Sequence, residues 1–297
     1  MEMNIAKKKK MLAVSIPKAL EMLTCCTLCP RLCKVDRTQN QKGVCNTLDK
    51  ALVSSFMPHH GEEPPLSGTR GSGTIFFTNC NLQCCFCQNE DISLRGSGET
   101  ASPEQIAQVM ILLQNQGCHN INFVTPTHVV PFILQAVDLA LDLGLNLPLV
   151  YNCSGYETPD TLSLLDGIID IYMPDFKFWD KKIARMACNA PDYPEVAKEA
   201  VKIMHKQVGD LCLDSDEIAQ SGLLVRHLVL PHDFAGTESV MAFLAERVSK
   251  NTRVNIMSQY RPCGTADSIP ELSRTITVDE YHRARQTAQS FGLHLLR

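Results

Sequence analysis

Residues 80–87 read Cys-Asn-Leu-Gln-Cys-Cys-Phe-Cys, which sets Cys80, Cys84 and Cys87 at C-x3-C-x2-C spacing. No other stretch constrains the chain as strongly. Three thiolates this close can hold three irons of a four-iron cluster and leave the fourth iron without a protein ligand. Clusters that only carry electrons are ordinarily closed by four cysteines. A vacant corner implies that a small molecule binds the metal there, so the site is chemical as well as electronic.

Clustered cysteines also serve as zinc ligands, and Cys85 adds a C-x-C alternative within the run. Zinc sites usually pair C-x2-C with a second pair a dozen or more residues away. Here all three ligands fall inside residues 80–87. The preceding Gly73-Thr74-Ile75-Phe76-Phe77-Thr78-Asn79 is β-rich after a glycine-rich approach and reads as a strand. Cysteines on the loop leaving a strand sit at the carboxyl end of a sheet, where α/β folds place their sites. On this reading Cys85 is a bystander.

Length and composition set the frame. A chain of 297 residues accommodates one large domain and a small one. With 44% hydrophobic and 20% charged residues it can bury a sizeable core, which argues against global disorder. A formal net charge of -4 offers no basic footprint for nucleic acid. Lys7 to Lys10 form the one dense cationic run. The apolar stretch after it is too brief for a signal-peptide core or a membrane span, so a solvated, frayed N-terminus is expected. Fourteen cysteines without a secretory signal point to a reducing, cytoplasmic setting and to metal binding.

The chain divides into two regions. Residues 1–68 form an N-terminal cysteine-rich metal-binding region, ending in the breaker-rich segment Pro58 to Gly68. Residues 69–297 alternate strand and helix. Strands are expected near 73–79, 119–124, 147–152, 168–173, 223–230 and 253–257. Helices are expected over Pro103 to Gln116, with Ser102 as N-cap and Gln105 three residues on, and over Val129 to Leu143, Thr158 to Leu165 and Thr237 to Ser249. The insertion 179–222 has room for two more, with Pro191 and Pro194 near the start of the second. Val278 to Phe291 reads as a last helix stopped by Gly292. Six strand–helix units imply an α/β fold with a parallel sheet. They are too few for a closed eight-stranded barrel, so the expectation is a partial, open (βα)6 TIM-like barrel.

If the cysteine loop ends the first strand, a cofactor lies across the ends of the later ones. Asn152 and Ser154, after the third strand, can hydrogen-bond ribose hydroxyls or a carboxylate, or simply make a turn. Asp175 and Lys177, after the fourth, alternate so that both charges share one face. They suit a zwitterionic ligand or a structural ion pair. Arg226 on the fifth strand is the ligand-facing charge. Ser258 to Pro262 follow the sixth strand and close the substrate side. His128, after the second, reads as a neighbour of a helix cap.

Four further cysteines, Cys26, Cys29, Cys33 and Cys45, follow the pattern C-x2-C-x3-C-x11-C, with Cys25 spare. Four ligands close a metal site, either structural zinc or a second iron–sulfur cluster. His59, His60, Glu62 and Glu63 come soon after and are candidates to face the barrel opening.

The run C-x3-C-x-aromatic-C, with Phe86 as the aromatic, resembles the signature of radical S-adenosylmethionine (radical SAM) enzymes. The chain is similar over nearly its whole length to the pyruvate formate-lyase activating enzyme-like group, in particular an uncharacterised branch with an N-terminal cysteine region. Cys29-Pro30-Arg31 with Cys33, Asp36-Arg37, the string Gly61-Glu62-Glu63-Pro64-Pro65-Leu66-Ser67-Gly68, Gln88-Asn89, Thr125-Pro126-Thr127-His128 and Pro174-Asp175-Phe176-Lys177 carry that resemblance. It implies a 4Fe–4S cluster on Cys80, Cys84 and Cys87, with S-adenosylmethionine near Phe86, Thr125, Asn152, Ser154, Asp175, Lys177 and Arg226. Related enzymes carry a glycine-glycine-glutamate motif after the second strand, and this chain has Thr125-Pro126-Thr127 instead. The implied chemistry is reductive cleavage of S-adenosylmethionine to a 5′-deoxyadenosyl radical that abstracts a hydrogen atom. A flavodoxin or ferredoxin is the implied electron donor, and a glycyl radical enzyme or another protein or metabolite the implied substrate. An iron–sulfur electron carrier is the non-enzymatic alternative.

Overall fold

The structure is a computed structural model and describes residues 2–296. Its first half runs α1 (Glu2–Glu21), β1 (Ala51–His59), α2 (Pro64–Ser67), β2 (Ser72–Phe77), α3 (Glu90–Ser93), β3 (Glu99–Ala101), α4 (Pro103–Asn115), β4 (Ile121–Val124), α5 (Val130–Asp142) and β5 (Leu149–Cys153). The second half adds α6 (Pro159–Leu165), β6 (Ile171–Pro174), α7 (Lys181–Cys188), α8 (Tyr193–Val208), β7 (Cys212–Leu213), β8 (Ala219–Leu228), α9 (Thr237–Arg247), β9 (Arg253–Met257), α10 (Val278–Ser290) and β10 (His294–Leu295).

One mixed sheet takes the order β10-β9-β8-β6-β5-β4-β2-β1-β3, with β7 paired to β8 off this path. The six expected strands correspond to β2, β4, β5, β6, β8 and β9, and every neighbouring pair among them is parallel. β10 extends the parallel series at one end, while β1 runs antiparallel to β2 and β3 at the other. The helices fall where capping chemistry places them. Ser102 and Gln105 form a reciprocal capping box on α4, Thr277 and Glu280 form another on α10, and Thr158 caps α6.

The sheet's two faces differ. Ile75, Phe77, Phe123, Tyr151, Tyr172, Val225 and Ile256 pack in one large core with the apolar faces of the helices. Val150, Ile171, Met173 and Leu224, the alternate residues of the same strands, pack with Leu66 of α2 and Leu296 in a second, small core. The long helices thus cover one face, and the other holds the short segment around Leu66.

Two expectations for the N-terminal region need correction. The N-terminus is not frayed: it forms α1, whose Leu12 and Ala19 are fully buried. Its cationic run meets acids from distant elements. Lys8 Nζ lies 2.5 Å from Asp170, and Lys9 Nζ lies 2.8 Å from both Asp138 and Asp142. These partners are more than a hundred residues away, beyond the reach of any sequence window. No strand is expected before residue 73, yet residues 51–59 form β1, hydrogen-bonded into the main sheet between β2 and β3.

Candidate cluster and cofactor site

The cysteine loop leaves the carboxyl end of β2. Asn79 takes a left-handed backbone (φ 70°) that ends the strand short of the expected residue, and Gln83 takes another (φ 56°) inside the loop. The Asn79 side chain donates to Thr47 Oγ1 at 3.1 Å, and Asn81 donates to the Tyr156 carbonyl at 2.9 Å. The start of the loop is therefore pinned on both sides of Cys80. Its sulfurs receive hydrogen bonds of their own: Leu82 N–H donates to Cys80 Sγ at 3.4 Å, and Ser93 Oγ donates to Cys87 Sγ at 3.0 Å. Such donors stabilise sulfur-borne negative charge.

Burial pushes the Cys80 thiol up to about 12, with Cys84 adding to it, and burial also raises Cys87. Cys84 goes the other way, because Cys188 donates a hydrogen bond to it and Lys177 lies near. Cys188 at the end of α7 is a neighbour that sequence spacing did not reveal. The Cys85 backbone is tied to other segments: its N–H donates to the Ala187 carbonyl at 2.8 Å, and its carbonyl accepts from Thr265. Among the described residues, no three His, Cys, Asp or Glu side chains converge tightly enough to hold a single metal ion.

Phe86 sits edge-on between Phe178 (centroids 5.9 Å apart) and Tyr260 (5.6 Å). Tyr260 belongs to the segment after β9, which folds over the cysteine loop. Gln88 donates to the Gln259 carbonyl at 2.7 Å. Gly264 has φ 56°, and a Cβ there would lie 2.6 Å from the Cys85 carbonyl oxygen, so the close approach requires glycine.

The strand-end residues form one connected set. Arg226 Nε donates to Asp175 Oδ1 at 2.7 Å and its Nη2 to Asn152 Oδ1 at 2.7 Å, while Lys177 Nζ lies 2.6 Å from Asp175 Oδ2. Burial opposes ionisation of Asp175, but Arg226 and Lys177 outweigh it and hold the carboxyl below its ordinary range. Asp175 and Lys177 thus pair directly. The Ser154 hydroxyl is buried without a partner. Thr125, ending β4, has φ 58°, a conformation that a β-branched residue seldom adopts. Beside it lies a buried carboxyl absent from the sequence-based set: Glu157 accepts from Thr127 Oγ1 at 2.6 Å and Tyr151 OH at 3.1 Å. Burial lifts it to about 8. His128 directly precedes Val129, the N-cap of α5, as expected of a cap neighbour. It is buried, its Nε2 bonds the Thr78 carbonyl at 2.8 Å, and burial lowers it to about 4.

Glu62 and Glu63 reach the same set, with Arg226 Nη1 4.0 and 3.9 Å from their oxygens. His60 is exposed, and His59 packs edge-on against Phe76 instead. Burial lifts Glu62 to about 7; Arg226 opposes this, while Glu63 and Asp175 add to it.

The N-terminal cysteines gather together. Burial raises the Cys29 thiol, and the neighbouring charges of Cys45, Cys26 and Cys33 raise it further. Val44 N–H donates to Cys33 Sγ at 3.3 Å across Gly43, where a Cβ would come within 2.8 Å of that sulfur. This group abuts the first cysteine loop. Arg31 donates to the carbonyls of Asn81, Leu82, Cys188 and Asn189, and Gln83 donates to the Val44 carbonyl at 2.7 Å. Arg37 is fully buried and donates to the carbonyls of Leu48 and His128. Two clefts of about 810 and 790 Å³ lie elsewhere, around Trp179 and Lys198 and around Val53 and Leu112.

No described helix is long and apolar enough to cross a membrane. Residues 74–214 match the radical SAM superfamily. The chain is 30% identical over 299 residues to an uncharacterised protein of Methanocaldococcus jannaschii, a match covering 97% of this chain and 81% of that relative. The chain therefore carries a radical SAM superfamily domain over residues 74–214, a domain that implies a 4Fe–4S cluster and S-adenosylmethionine.

Proposed function

We propose that Cys80, Cys84 and Cys87 hold the 4Fe–4S cluster and that the chain is a hydrogen-abstracting enzyme on an open (βα)6 barrel, residues 69–297. One observation carries this reading: three thiols share a pinned loop at the carboxyl end of β2, within the matched domain, and two of them accept hydrogen bonds at sulfur. When bound, the cluster supplies one electron to S-adenosylmethionine, whose cleavage provides the radical that takes a substrate hydrogen.

The chain's own residues bind, orient and exclude water. Phe86, wedged between two aromatic rings, walls the cluster loop. Thr125, at its strained backbone, and the unpartnered Ser154 hydroxyl are placed to take polar groups of S-adenosylmethionine. Asn152, Asp175, Lys177 and Arg226 form the charged wall that orients it.

Cys26, Cys29, Cys33 and Cys45, within the region 1–68, hold a second metal group. Contact through Arg31 and Gln83 favours an iron–sulfur cluster over zinc, because it sets this group directly against the first loop. A flavodoxin or ferredoxin then feeds electrons through it, and the fourteen free cysteines suit a reducing cytoplasm. The resemblance extends the reading to a glycine of a partner enzyme as the hydrogen donor.

The test is anaerobic reconstitution with iron and sulfide, followed by electron paramagnetic resonance of the reduced protein with and without S-adenosylmethionine. The cluster signal shifts when S-adenosylmethionine is added. A cluster whose spectrum ignores it, like that of an electron carrier, contradicts the proposal.

A further inference from the structure

The string Gly61 to Gly68 has a defined place in the fold. It leaves β1 at the amino end of the sheet and carries α2 onto the face that the long helices leave uncovered. There Leu66 is fully buried against Val150, Ile171, Met173 and Leu224. Asn120 Nδ2 fastens the segment by donating to the Leu66 carbonyl at 2.8 Å. Pro65 and Leu66 would suffice for a plain apolar plug. Instead the segment also delivers two carboxylates to the interior, with Glu62 and Glu63 side chains 8% and 5% exposed.

Neither acid has a hydrogen-bonded cation of its own, and burial lifts Glu62 to about 7. Asp175 already occupies both cations, accepting from Arg226 on one oxygen and Lys177 on the other. Arg226 stands 3.9–4.0 Å from the pair, beyond direct hydrogen bonding. Glu63 Oε1 accepts from Asn255 at 3.0 Å, but Glu63 Oε2 is buried with no partner at all. A buried carboxylate oxygen without a donor is costly, and it asks for a donor from outside the chain.

We propose that Glu62 and Glu63 form the floor of the substrate site and receive a cationic, donor-rich group of the substrate, a guanidinium or a protonated amine. A guanidinium brings five N–H donors in a planar fork, which matches paired carboxylates and satisfies Glu63 Oε2. The group belongs either to a small molecule or to a basic side chain of a polypeptide substrate. Calling it substrate rests on the radical SAM reading; binding itself does not.

The experiment is calorimetric titration of the reconstituted protein with butylguanidinium and with its neutral isostere butylurea. A parallel arm uses the peptide acetyl-Gly-Arg-Gly-amide against its citrulline counterpart. Butylguanidinium binds at least about tenfold tighter than butylurea, and Glu63→Gln removes most of that preference. A preference seen with the free guanidinium alone identifies a small-molecule substrate; one strengthened in the peptide identifies a polypeptide. Equal binding of charged and neutral probes by the wild type overturns the proposal without recourse to any variant. An unchanged preference in a folded Glu63→Gln protein also overturns it. Formation of 5′-deoxyadenosine by the wild type reports separately on the radical reading, so the two can fail independently.

Discussion

Arg31 Nε donates to the carbonyl of Asn81 at 2.9 Å, joining the segment between Cys29 and Cys33 to the one between Cys80 and Cys84. The same guanidinium reaches the Leu82 carbonyl at 3.0 Å and Cys188 at 2.7 Å, and lies over the Tyr156 ring at 5.4 Å. A planar fork with several fixed donors is what such a junction uses, and a lysine cannot reproduce it.

Arg31→Ala leaves these carbonyls without their charged donor. It lowers stability by about 2 kcal/mol and loosens both cysteine loops, so iron retained after reconstitution falls. Arg31→Lys recovers little of either. Urea unfolding and iron analysis check this; an unchanged midpoint and iron content would refute the junction.

Glu157 sets a pH dependence. Its folded pKa of about 8 lies above the ordinary 4.5, so between these values the folded state holds a proton that the unfolded state has lost. Stability from this group is complete below pH 4.5 and declines as pH rises toward 8, by up to about 1.4 kcal/mol per pH unit. Glu157→Gln removes the decline, and denaturant titrations at pH 6 and pH 8 show it as a smaller difference than in the wild type. His128 works in the opposite window. Its folded value of about 4 against 6.5 means that its contribution is present above pH 6.5 and lost as pH falls toward 4.

Thr125→Gly relieves the left-handed strain at the end of β4. Relief of about 1–3 kcal/mol is partly offset by the flexibility of glycine in the unfolded chain, leaving a gain of about 1 kcal/mol. Affinity for S-adenosylmethionine falls because the preset backbone is lost. Thermal unfolding together with equilibrium dialysis tests both parts, and a stabilised variant with undiminished affinity would show that the strain serves no ligand.

The cysteine loop and the six parallel strands were legible because each is local. Spacing marked Cys80, Cys84 and Cys87, and apolar runs bounded by turns marked β2, β4, β5, β6, β8 and β9. Ser102 with Gln105 announced α4 in the same way. The missed features depend on long-range partners. Lys8 finds Asp170, Arg37 finds His128, and Cys84 finds Cys188 only once the sheet has formed. β1 carries Pro58 and half-buried residues on both faces, so no clean alternation announced it. Glu62 and Glu63 stand out in the sequence as candidates for the barrel opening, but their meeting with Arg226 depends on how α2 folds onto the sheet.

The most direct measurement is dithionite reduction of the reconstituted protein with S-adenosylmethionine, assaying 5′-deoxyadenosine beside Cys84→Ala and counting iron per chain. The account predicts product from the wild type, with loss of product and of cluster iron in Cys84→Ala. Wild-type protein that binds no iron, or product that persists in Cys84→Ala, would contradict it.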